Sequence, residues 1–126
     1  MLFRSSSREA HVNAGRWLAQ HATAGSVVLD SRGWASLYSG LPAYNYDGAR
    51  LAFEDPRLSF VVVENAELAD ERPRGQTLRH LLGVAGQKLA EFPAPGVPGE
   101  SVAVFAWHPE RLAESASAAR STMRAN

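Results

Sequence analysis

The sequence predicts a small α/β sandwich, Rossmann-like in layout, with about four mostly parallel strands and helices on both faces. Three observations predict it. Apolar, valine-rich runs alternate with stretches of helical period in the order α-β-α-β-α-β-α-β, and such alternation favours a parallel sheet with right-handed crossovers. The runs Val27-Val28-Leu29 and Phe60-Val61-Val62-Val63 are continuously apolar, as in strands covered on both sides. A chain of 126 residues, 45% of them apolar, suits one domain able to bury roughly two thirds of its surface without staples.

Residues 1–5 read as a leader or linker. Ser6 to Thr23 reads as an amphipathic helix. Ala10, Ala14, Trp17, Leu18 and Ala22 share one face of a 3.6-residue period. Ser6 and Glu9 have capping-box spacing, and Gly25 suits the helix stop. Ser26 to Asp30 is a short buried strand. Ser31 to Ser39 reads as a helix with Trp34, Leu37 and Tyr38 inward and Gly40 as its stop. Pro42 to Asp47 is a weaker strand built on Tyr44 and Tyr46. Asp47 is placed to cap a short helix over Gly48–Glu54, which ends before Pro56 because the residue preceding proline resists helical geometry. Leu58 to Glu64 is the clearest strand, and Asn65 to Arg74 is polar with room for one helical turn. Thr77 to Phe92 is the clearest helix, with Leu78, Leu81, Leu82, Ala85, Leu89 and Phe92 in phase and Gly83 and Gly86 allowing close packing. A Pro/Gly-rich loop over 93–99 leads to a last strand, Ser101 to Trp107, which can run either way. The single domain spans residues 6–108. Residues 109–126, rich in Ala, Ser and Arg, read as a frayed helix or flexible tail.

Thirteen basic and thirteen acidic residues cancel, which leaves no electrostatic footprint for nucleic acid. The lack of cysteine excludes disulfides, thiolate zinc sites and a cysteine nucleophile. No apolar run approaches the roughly 18 residues of a membrane span, so a soluble domain is expected.

Glycine-rich dinucleotide and phosphate loops are missing from the sequence, as are the nucleophile elbow and the paired-histidine zinc motif. No cofactor, no metal and no catalytic residue is therefore assigned. His11, His21, His80 and His108 each read as a surface or rim histidine.

Ligands of open α/β sheets bind beyond the carboxyl ends of the strands. That rim gives the candidate ligand-binding residues: Asp30, Ser31, Arg32, Trp34, Tyr38, Tyr46, Asp47 and Glu64. Its carboxylates can do acid/base work or hold a hard cation; equally, they can cap the helices that follow. Trp34 and Tyr38 can stack on a sugar ring, or pack helix against sheet.

Several segments carry a family likeness. They are Arg8-Glu9-Ala10, Gly15-Arg16-Trp17-Leu18-Ala19-Gln20-His21, Gly25-Ser26-Val27-Val28-Leu29-Asp30 and Tyr38-Ser39-Gly40-Leu41-Pro42. Over residues 8–108 the chain resembles the water-soluble tail of bacterial polyprenyl-phosphate-sugar-dependent glycosyltransferases, membrane enzymes similar to dolichyl-phosphate-mannose protein mannosyltransferases. Ala24-Gly25 stands where those tails carry Pro-Gly. The resemblance implies a non-catalytic, extracytoplasmic accessory domain that positions an acceptor or the donor head group. Its partners would be an upstream transmembrane catalytic portion of the same protein and a glycan or lipid-linked sugar, and the parent would be membrane-anchored. The residues alone leave two rival readings open. One is a free-standing small-molecule-binding module. The other is a small hydrolase using Asp30, Asp47 or Glu64.

Overall fold

The computed structural model describes the backbone of residues 2–125 and the side chains of residues 8–121. Helix α1 (Leu2–His21) leads to strand β1 (Val27–Asp30), helix α2 (Trp34–Ser39) and the short strand β2 (Ala43–Tyr44). A 3-10 turn (Tyr46–Gly48) and helix α3 (Ala49–Glu54) precede strand β3 (Leu58–Glu64). Then come helices α4 (Asn65–Leu68) and α5 (Pro73–Ala85), strands β4 (Gly86–Pro93) and β5 (Ser101–Trp107), and helix α6 (Glu110–Ala125).

The strands form one open sheet in the order β2-β1-β3-β5-β4. β1 is parallel to β2 and β3, whereas β5 is antiparallel to β3 and β4. The α/β class agrees with the sequence. The strand count and directions differ: there are five strands, and only the β2-β1-β3 half is parallel. The expected last strand, β5, runs antiparallel inside the sheet, and β4 takes the edge beside it.

β4 occupies residues that the helical spacing had placed in one long helix. That helix stops at Ala85, because Gly86 is extended (φ −95, ψ 149). The flank of β5 would otherwise carry unpaired peptide groups, and residues 86–93 supply their partners. Leu89, in phase with the helix on paper, is exposed beside the register shift between Lys88 and Ala90. A bulge, a Lys88–Glu91 ion pair and Pro93 blunt this edge against further pairing. Gly83 has open space around it rather than a close neighbour.

Two apolar layers flank the sheet. Val28, Val62, Val102 and Val104 meet Ala10, Ala14 and Leu18 of α1 and Ala35 of α2 on one face. Val27, Leu29, Val61 and Val63 meet Ala52 of α3 and Leu78, Leu82 and Ala85 of α5 on the other. Leu112 of α6 joins that second layer, so residues 110–125 begin as a docked helix.

Smaller differences have local causes. α1 starts at Leu2, so residues 2–5 are helical and Ser6 is not at a helix start; Met1 lies outside the described residues. α2 begins three residues later than expected. Ala35 is its buried residue, while Leu37 and Tyr38 face out. Gly40 does end α2, in the left-handed conformation that glycine adopts without strain (φ 75). The 3-10 turn is capped by Asn45, whose side chain accepts from the Gly48 N–H, and not by Asp47.

α2 lies close against α1 because residue 15 is glycine. A Cβ there would sit 2.6 Å from the Ala35 carbonyl oxygen and 2.8 Å from Tyr38 Cβ. Gly15→Ala gains about 1 kcal/mol in helix propensity but forces the helices apart at a cost of about 1–3 kcal/mol. The expected net result is a lower urea midpoint. A rise in that midpoint would show that the helix pair has slack.

Candidate functional site at the strand ends

Three parallel strands bring their carboxyl ends to one rim. From β1 the chain crosses through α2 to β2, then returns through α3 past β1 to β3. The two crossovers pack on opposite faces, through Ala35 and Ala52. A crevice opens where the chain reverses direction across the sheet, the usual ligand position of open α/β sheets. Here it is a cleft of about 310 Å³ lined by Ser31 and Arg32 after β1, Asn45, Tyr46 and Asp47 after β2, Glu67 after β3, and Arg74 from α5.

Beneath this cleft the carboxylates are committed to the fold. Asp30 is 1% exposed. Its Oδ1 accepts from the Arg32 N–H at 3.3 Å and its Oδ2 from the Ser36 N–H at 3.0 Å. The second bond caps the first turn of α2, which Gly33 cannot do with a side chain. Glu64 and Glu67 form a reciprocal capping box on α4. Glu64 Oε1 also accepts from His11 Nε2 at 2.8 Å and from Arg32 Nε at 2.9 Å. The His11 bond first, and then the Arg32 bond, hold the Glu64 carboxyl down at about 2. Burial pushes the Glu67 carboxyl up, against the bonds it accepts from the Glu64 N–H and the Ser31 hydroxyl.

The eight rim candidates therefore separate. Ser31, Arg32, Tyr46 and Asp47 line the cleft. Asp30 and Glu64 support it from below. Trp34 and Tyr38 do not line it: Trp34 packs edge-on against the His11 ring at 5.3 Å, and the Tyr38 hydroxyl accepts from Arg8. The aromatic of the cleft is Tyr46. Its hydroxyl donates to the Val62 carbonyl at 3.3 Å, and burial raises its pKa well above the usual phenol range.

Four site residues lie outside those eight candidates, although Asn45 belongs to the same strand-end segment as Tyr46 and Asp47. Asn45, Glu67 and Arg74 line the cleft, and His11 supports it as a fully buried side chain, not a surface one. His11 was legible: it stands three and seven residues before Ala14 and Leu18, on the same helical face. Glu67 follows Glu64 at capping-box spacing, a local signal for the start of α4. Nothing local marks Arg74, which arrives from α5 through the tertiary fold.

A second, apolar cavity of about 260 Å³ lies between α3 and α5 over Leu29. Tyr46 and Arg74 line both spaces. Arg74 makes a loose pair with Asp47, at 3.8 Å. Among the described residues, no group of three or more His, Asp or Glu side chains is placed to hold a metal ion, and no helix is long and apolar enough to cross a membrane.

The fold and the cleft define a class: a mixed α/β domain with a polar strand-end cleft beside an apolar cavity. Comparison with family models, curated proteins and solved structures finds no match to this chain.

Proposed function

We propose that this chain is a non-catalytic accessory domain of a lipid-linked-sugar glycosyltransferase, mannosyltransferase-like in type. In this reading its strand-end cleft holds a sugar-like part of the acceptor or donor head group. The domain works on the extracytoplasmic side, beside a membrane-anchored catalytic portion of the same protein. The parallel half of the sheet is the part we read as Rossmann-like.

One observation carries the binding role. The cleft is lined by charges of both signs, Arg32 and Arg74 against Asp47 and Glu67. A hydroxyl donates to a carboxylate and accepts from a guanidinium at once, so a neutral polyol satisfies both. A bare ion meets a like charge on one wall. The internal commitments of Asp30 and Glu64 favour binding over acid/base chemistry. The residues behind the family resemblance hold structural posts consistent with it: Gly15 at the α1–α2 approach, Leu18 in the core, Gly40 ending α2.

NMR titration of the chain with monosaccharides and sugar 1-phosphates tests the cleft. Saturable shifts are expected at Ser31, Arg32, Asn45, Tyr46 and Glu67. Arg32→Ala should weaken binding by about five- to tenfold, the worth of one charge-assisted hydrogen bond. No saturable shift at these residues with any sugar would remove the assignment. Immunoblotting of fractionated native cells tests the parent enzyme. A membrane band several times larger than 13.6 kDa is expected. A soluble band near that mass overturns the accessory role and makes the chain a free-standing small-molecule-binding module.

A further inference from the structure

We propose that the cavity between α3 and α5 binds a small amphipathic carboxylate, with its apolar body over Leu29 and its carboxylate on Arg74. The proposal does not rest on the reading of the polar cleft, whose Ser31, Arg32 and Asn45 take no part in it.

The shape of the space comes first. The cavity reaches down to Leu29 of β1, which is 1% exposed, and its walls are Phe53 of α3 and Leu78 and Leu81 of α5. The space is a concave, largely apolar pocket open to solvent on one side, the usual form of a small-molecule site. About 260 Å³ compares with the roughly 150 Å³ of an apolar cavity that takes benzene. The space therefore suits one ring with a short chain. A long lipid chain is too large for it, and the depth suits a small molecule better than a flat protein face.

Charge complementarity sets the other end of the ligand. Arg74 is the one charged residue among the described residues that lines the cavity. Its partner Asp47 stays 3.8 Å away with its side chain 93% exposed, so the guanidinium can exchange that loose contact for a better acceptor. An arginine fork matches a carboxylate in two parallel hydrogen bonds. One guanidinium balances one negative charge. A phosphate dianion would leave a second charge uncompensated beside Asp47 and Glu67, which line the adjoining cleft. A monocarboxylate fits the balance. Tyr46 lines both spaces, as Arg74 does.

NMR titration of the full chain with 3-phenylpropionate and with neutral 3-phenylpropanol tests this. Both compounds should shift the methyl signals of Leu29, Leu78 and Leu81 saturably. The acid should bind about tenfold more tightly, as expected for one charge-assisted contact. In Arg74→Gln the preference for the acid should vanish while the alcohol still binds. The Arg74 side chain is 66% exposed, so this variant leaves the core intact, and an unchanged thermal midpoint checks that. If neither compound moves those methyls, the cavity is not a binding site. Equal affinities in the native chain, or a preference that survives in Arg74→Gln, overturn the carboxylate assignment. The sugar titration reads different residues, so failure here leaves the cleft reading to its own test.

Discussion

Glu64→Ala is expected to destabilise the fold by about 2–3 kcal/mol at pH 7, because it removes the hydrogen-bond partner of the buried His11 ring and of Arg32 together. The His11 side chain is fully buried, and its Nδ1 already has no partner. Removing Glu64 leaves Nε2 unpaired as well and releases Arg32. Glu64→Gln isolates the charge. The folded carboxyl titrates at about 2 against an ordinary 4.5, chiefly because His11 and then Arg32 bond to it. A depressed carboxyl contributes stability above its unfolded pKa and loses it as pH falls through the folded value. The gap between native and Glu64→Gln urea midpoints should therefore be full at pH 6, worth roughly 2–3 kcal/mol, and close between pH 4.5 and 2. Asp70 and Asp55, held low by Arg72 and Arg57, shift both proteins alike and cancel in the difference. A gap that stays constant with pH would mean that the Glu64 charge is not what ties α1 to the sheet.

Asp30→Ala is expected to cost about 2–3 kcal/mol, through a lost cap and a buried amide left without its acceptor. The Ser36 N–H has Asp30 Oδ2 as its acceptor at 3.0 Å, and Gly33 provides no substitute. Faster hydrogen exchange at Ser36 should accompany a lower urea midpoint. Were Asp30 a ligand-contacting acid instead, its removal would spare stability and abolish binding. An unchanged midpoint would discard the capping role.

Both acids were visible in the sequence as strand-end residues. What was not visible was their direction. Position along a strand fixes the rim, but side-chain parity and the neighbouring helix decide whether a carboxylate faces a ligand or the fold. Asp30 turns under α2, whereas Asp47, beyond the much shorter β2, stays out in solvent. The valine runs marked β1 and β3 correctly because burial on both faces leaves a local imprint. The α5–β4 junction left a misleading one: Leu89 and Phe92 continue the helical phase of Leu78 and Leu82, and only the pairing demand of β5, non-local by nature, turns the chain at Gly86. Trp34 and Tyr38 suit a sugar platform by type, but Trp34 packs against His11 of α1, and Tyr38, though exposed, stands outside the cleft with its hydroxyl accepting from Arg8.

The same loopless junction anchors the last turn of α5 directly to the sheet. Its last residue, Ala85, is held by the His108 N–H at 2.8 Å, and a Cβ on Gly86 would strike the Leu82 carbonyl, so this end has no play. The far end follows the irregular stretch after α4. Arg79, midway along α5, donates to the Leu68 and Asp70 carbonyls, and a Cβ on Gly75 would strike the Asp70 carbonyl, so the helix is tied to that stretch as well. Along the thirteen residues of α5, Arg74 stands about 17 Å from that anchor. One helix, tied at both ends, therefore sets the width of both spaces that Arg74 lines.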